Sequence, residues 1–327
     1  MMRQLFLGCS LLVVAGGMTA RAAAGTLPTF DDFRRIDRER RLTGQLQTDE
    51  LIKVTQVDPR LMVKTAQLHP DDPRIIWGAA ELITDWPAKR ILFETALEED
   101  HTNVAVALHY ATAAVQHSDF TVAREWLGYC ELNDSDNTAP WLVEQWVLRQ
   151  LHLNPKPAHE PEARTSDFRD YSVEATRART KTLEAAGYSA YSARRLGMKA
   201  DSAALSMARD LIKPPIPDVA RPLLKDAARS MQEHGTFLLD EFVGQTIEGA
   251  LLSLRPDAST SVTVRYRFME MEDRRQALQD LLAQVEHGTV DFTTEAQMVQ
   301  YFDNVLNEGE ETAMKDLMTT VRRQTPP

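Results

Sequence analysis

The sequence predicts an all-α protein on three observations. Small and apolar residues recur at one fixed offset, helix caps and stops punctuate most of the chain, and only one stretch alternates with the period of a strand. In the recurrence, Asp85 and Trp86 return as Asp119 and Phe120, Ala80 as Ala114, Phe93 as Leu127, Ala96 as Cys130 and Asp100 as Asp134. A period of roughly 34 residues belongs to helix–turn–helix units that stack on their neighbours. The apolar share of 43% and charged share of 26% are those of an ordinary globular chain.

Positions 1–24 read as an export signal. Arg3 precedes an apolar run from Leu5 to Val14, and Ala20-Arg21-Ala22 or Ala22-Ala23-Ala24 offers a cleavage site. The run is shorter than the roughly 20 residues of a membrane span. An uncleaved anchor, or a lipoprotein signal through Cys9, is the alternative. Cleavage leaves 35 basic against 48 acidic residues and moves the formal charge from −11 to −13. That balance argues against nucleic acid, whose phosphates need clustered Lys and Arg, and against anionic lipid. Cys130 is then the single cysteine, so packing without an intrachain disulfide must supply stability.

Residues 25–153 form an N-terminal helical region. Residues 29–68 carry short helices with a mixed-charge opening from Asp31 to Arg41. Asp72-Pro73 starts a helix bearing Ile75, Ile76 and Ala79, because proline is tolerated in the first turn. A second helix carries Ile91, Leu92, Phe93 and Ala96; the next pair spans Asn103 to His117 and Phe120 to Leu132. There Ala107, Tyr110, Ala111, Ala114, Ala123, Leu127 and Cys130 have the spacing of a tetratricopeptide unit. Residues 69–153 therefore resemble tetratricopeptide-repeat proteins, a quarter of the chain. The family's usual Trp, Gly and Pro are here Ala107, Ala111 and Ser135. The resemblance implies a concave face that holds a peptide or protein partner. On that face would lie Arg74, Glu81, Leu108, Thr112, Leu142, Trp146 and Arg149, from the first helix of each unit.

Residues 154–166 hold three prolines in seven positions and read as an extended connector between domains. A C-terminal helical domain follows over 167–323, with a tail at 324–327. Its helices are expected near 167–186, 189–213, 219–234, 237–254, 258–286, 294–307 and 310–323. Gly187, Gly235, Gly288 and Gly309 follow helical runs as stops, and Thr294 with Gln297 makes a capping box. Val262, Val264, Tyr266 and Phe268 alternate with polar residues, a strand pattern with no pairing partner, and helix is expected there.

No constellation of chemistry stands out. The eight histidines make no His-Glu-x-x-His, and Asp134-Ser135-Asp136-Asn137 lacks a calcium loop's glycine and twelfth acid. No Gly-x-Ser-x-Gly elbow or phosphate-cradling loop occurs, and Cys130 falls at a packing position. Arg177, Arg179 and Lys181 read as a solvated basic face. No metal and no cofactor are expected. The function expected is that of an exported, periplasmic or secreted, non-catalytic binding or scaffolding protein. The alternatives are an enzyme with its site in the C-terminal helices and a structural part of a cell-envelope assembly.

Overall fold

The computed structural model describes residues 27–43, 54–156, 167–199, 202–254, 261–288 and 293–324. The signal and the tail from 325 lie outside these residues, as do positions 157–166 of the connector. The described chain is all-α, with fifteen helices, no strand, and one isolated parallel bridge between Asn137 and Asp167. It divides into two compact units interleaved in sequence. The connector 154–166 falls inside the second.

The first unit takes Met1–Glu99, Ala175–Lys199 and Gln279–Pro327. It contains α1 (Phe30–Thr43), α2 (Pro59–Leu68), the hairpin of α3 (Pro73–Leu82) and α4 (Trp86–Glu99), most of α8 (Ser172–Ala185) and α9 (Ala190–Gly197). A second hairpin joins α14 (Glu295–Glu308) to α15 (Glu310–Gln324). Asp72 starts α3 by accepting from the Arg74 and Ile75 amides, which satisfies donors the first turn leaves open. At Gly78 a Cβ would lie 2.2 Å from the Ala178 carbonyl oxygen, so glycine lets α8 touch the backbone of α3. Thr182 Oγ1 donates to the Ile75 carbonyl across the same contact, at 2.8 Å. Arg179, expected on a solvated face, is buried here and paired with Glu81 at 3.3 Å. Its other nitrogens donate to the Gly197 carbonyl and to Thr176 Oγ1.

The second unit takes Asp100–Glu174 and Ala200–Leu278. Its hairpin of α5 (Val104–Gln116) and α6 (Phe120–Asn133) is followed by α7 (Thr138–Gln150). Ala107, Ala111, Ala114, Ala123, Leu127 and Cys130 are all fully buried, as their small-residue spacing requires. The helix expected over 189–213 is broken, because α9 ends at Gly197 and Ser202 caps a new helix, α10 (Ala203–Leu211), by accepting from the Leu205 amide. Next come α11 (Ala220–His234), α12 (Leu238–Ser253) and the first part of α13 (Val262–Gly288). Leu142, Leu205, Leu211, Leu224 and Ile247 lie in one core.

The alternating stretch from Val262 is helical. Val264, Met271 and Leu278 are buried at seven-residue steps, a period a helix can present to one neighbour. Arg267 pairs with Glu248 at 2.8 Å and Arg274 with Glu241 at 2.7 Å, so α12 and α13 run antiparallel. Gly187 and Gly309 take positive φ at helix ends, and Thr294 with Gln297 forms its capping box. Gly235 has φ −60°; small size matters there, since a Cβ would lie 2.4 Å from the Met231 carbonyl oxygen.

Candidate partner-binding site

The seven residues expected on a partner-facing surface divide between the units. In the first, Arg74 is exposed, and Glu81 is taken up by Arg179. In the second, Leu108, Thr112 and Leu142 are buried rather than open, because α10 packs on α5 and α7, and α11 on α7. Thr112 Oγ1 turns back to the His109 carbonyl at 3.0 Å. Trp146 and Arg149 are half-buried, and Arg149 Nη1 donates to the Asp210 carbonyl at 3.4 Å.

Trp146 forms one wall of a cleft of about 470 Å3 within this unit. Val115 and Met207 are its buried floor, and Phe120 stands half-buried as a second aromatic. Gln116, Ser118, Gln150, Ser206 and Asp210 give it a polar rim. Asp210 brings the one carboxylate, held by Lys213 at 2.7 Å. The aromatic and aliphatic surfaces can bury an apolar group, while the amides and hydroxyls can bind polar atoms beside it.

Two helix ends of this unit close in the same way, and Ser118 at the first of them lies in the cleft rim. At the end of α5 the Ser118 amide bonds the Val115 carbonyl and the Asp119 amide bonds Ala114, with Ser118 at φ 61°. At the end of α7 the His152 amide bonds Arg149 and the Leu153 amide bonds Leu148, with His152 at φ 54°. Both are Schellman caps in which a non-glycine residue holds the left-handed conformation. Ser118 and His152 stand one sequence period apart, the offset that relates Ala80 to Ala114. Asp119 then starts α6 by accepting from the Val122 amide, which fixes Phe120 at the cleft.

Elsewhere in the unit, two carboxylates converge on one cation. Lys156 Nζ lies 2.9 Å from both Glu131 Oε2 and Glu144 Oε2, and sits 4.7 Å from the centre of the Trp141 ring. Burial, with Glu144 alongside, pushes the Glu131 carboxyl up to about 7, although Lys156 opposes the shift. Glu131 Oε1 is buried with no hydrogen-bond partner among the described residues. The connector's far end is anchored on the same helices. Thr138 N donates to the Asp167 carbonyl at 2.7 Å, Asn137 Nδ2 donates to the Arg169 carbonyl at 2.8 Å, and Tyr171 donates to Asp134. His109 Nε2 donates to the Asp170 carbonyl at 3.0 Å. The Asp134–Asn137 turn thus serves as a docking point for 167–171.

Cys130 is buried, and burial pushes its thiol up to about 12, which suits packing and opposes reactivity. Among the described residues no group of acids, histidines and cysteines is placed to hold a metal, and no helix is long and apolar enough to cross a membrane. Sequence reasoning missed Met207, Ser206 and Asp210, which lie far from Trp146 along the chain and share no pattern with it. It also passed over Lys156, which it saw only as part of a proline-rich connector. No protein family, curated protein or solved structure matches the chain.

Proposed function

We propose that this is an exported, non-catalytic binding or scaffolding protein whose cleft, built on tetratricopeptide-like helix pairs, holds a peptide segment of a protein partner. The observation that carries this reading is the half-open aromatic pair Trp146 and Phe120 over a buried aliphatic floor, rimmed by amides and hydroxyls. Tryptophan in such a setting is the residue type that most often dominates binding energy. Ser118, a left-handed non-glycine residue in the cleft rim, adds support, because strained backbone collects at sites that bind. Photo-crosslinkers placed at Gln116 and Gln150, with exposed Leu132 as the remote control, test it in the native compartment. The same partner should be captured from both rim positions and lost with Trp146→Ala. Equal capture from Leu132, or capture indifferent to Trp146, counts against the cleft. Mass spectrometry of the mature chain, expected to begin at Ala23 or Gly25, tests export with cleavage. An intact Met1 in the membrane fraction would favour the envelope-structure alternative.

The enzyme alternative draws on the Glu131 carboxyl, pushed up to about 7 by burial beside Glu144. A small molecule whose binding is abolished by Glu144→Gln and untouched by Trp146→Ala would favour it.

A further inference from the structure

Helix α13 has a second face that no described residue covers. With Val264, Met271 and Leu278 turned inward, the opposite side carries Val262, Tyr266 and Met269 at steps of four and three residues. These are 72%, 62% and 63% exposed. Leu254, at the end of the antiparallel α12, adds a further exposed apolar side chain near Val262. An apolar stripe on an otherwise charged helix is the pattern of a helix that pairs with another.

The charges beside the stripe indicate which helix. Arg265 and Glu272 lie seven residues apart on one flank, opposite in sign, with their midpoint next to Met269. Arg265 is exposed and makes no ion pair among the described residues. Glu272 makes only an exposed contact with Arg275, at 3.3 Å, of a kind that contributes little. In an antiparallel helix pair, like flanks face each other, so Arg265 of each copy meets Glu272 of the other. A two-fold interface requires such self-complementarity, because every contact is made twice. The same axis brings Met269 against its own copy and sets each Tyr266 beside the acidic Asp273 of the other.

We infer that the exposed face of α13 around Val262, Tyr266 and Met269 is a dimerisation surface whose partner is a second copy of this chain, paired antiparallel and registered by Arg265 against Glu272. The stripe is small beside the roughly 800 Å2 per partner of a standard interface, so a weak, concentration-dependent dimer is expected.

Sedimentation of the full mature chain from 1 to 200 μM tests this, with circular dichroism confirming the fold of each variant. The wild type should pass from monomer to dimer across that range. Arg265→Glu and Glu272→Arg, taken singly, each place two like-charged pairs in the interface and should weaken association at least tenfold. The double exchange should restore it, which no general loss of surface charge can do. Tyr266→Asp, a change at an exposed position, should also yield monomer. Trp146→Ala should leave association unchanged, which separates this surface from the cleft. A monomeric wild type at 200 μM, or dimerisation indifferent to the single exchanges, overturns the proposal. Failure of the double exchange to restore the dimer, with the fold intact, overturns the antiparallel register.

Discussion

Gly78, Thr112 and Trp146 are spaced 34 residues apart in the sequence, yet each meets a different surrounding. At Gly78 the absence of a side chain brings α8 against the backbone of α3. At Thr112 a small polar side chain is buried and satisfies itself on its own helix, on the His109 carbonyl. At Trp146 the largest side chain stands half-open as the wall of a cleft. A shared spacing in the sequence therefore does not imply a shared surface. Side-chain volume at each position helps decide whether another helix closes over the face or a cleft remains.

The sharpest way to break this comparison is to add volume where there is none. In Gly78→Ala the new Cβ meets the Ala178 carbonyl and Thr182 Oγ1 at 2.2 Å, so backbone must move. A loss of about 3 kcal/mol or more is expected despite alanine's better helix propensity. Thermal or denaturant unfolding measures it, and an unchanged midpoint would mean that α8 gives way freely.

Leu142 and Trp146 sharpen it next, since they share a helix and differ in exposure. Leu142 is fully buried among Leu205, Leu211 and Leu224, so Leu142→Ala is expected to cost about 3 kcal/mol. Trp146→Ala, at a half-open wall, is expected to cost about 1–2 kcal/mol, because only part of the ring leaves a dry environment. Chemical denaturation of the two variants compares them directly. Equal losses would make Trp146 a core residue and remove it from the cleft.

The parts of this architecture that were legible in the sequence are the local ones. Asp72, Asn103, Asp119 and Thr294 cap helices through bonds to amides two or three residues away, so the signal and its cause share one short segment. The buried alanines of α5 and α6 were equally visible, because helix pairing demands small residues at fixed spacing. Partners from remote sequence escaped. Arg179 is buried because Glu81, 98 residues away, meets it, and Leu108 is covered by a helix that begins at Ala203. The period-two alternation over Val262–Phe268 misleads for a physical reason. Wound into a helix, it sends Val264 inward and leaves Val262 and Tyr266 outside, so the pattern that resembled a strand produces an exposed stripe.

The smallest expected effect concerns the two carboxylates at Lys156 and is read through pH. Burial disfavours the charge of Glu131 and Glu144 stands beside it, so folding pushes its carboxyl up from about 4.5 to about 7. The folded state therefore holds this proton more tightly than the unfolded one. Stability attributable to the group is fully present below about pH 4.5, declines as pH rises towards 7, and is lost above that. Glu131→Gln carries no ionisable proton, keeps a side chain of the same shape, and leaves Glu144 to hold Lys156. The variant should gain on the wild type between pH 5 and pH 8 by about 1 kcal/mol, the equivalent of somewhat less than one pKa unit. The gain stays small because Lys156, 40% exposed, keeps the pair partly in contact with water. Denaturant titrations of both proteins at the two pH values measure it. If wild type and variant lose stability in parallel, Glu131 is already ionised at pH 5, and Lys156 alone outweighs the burial of the pair.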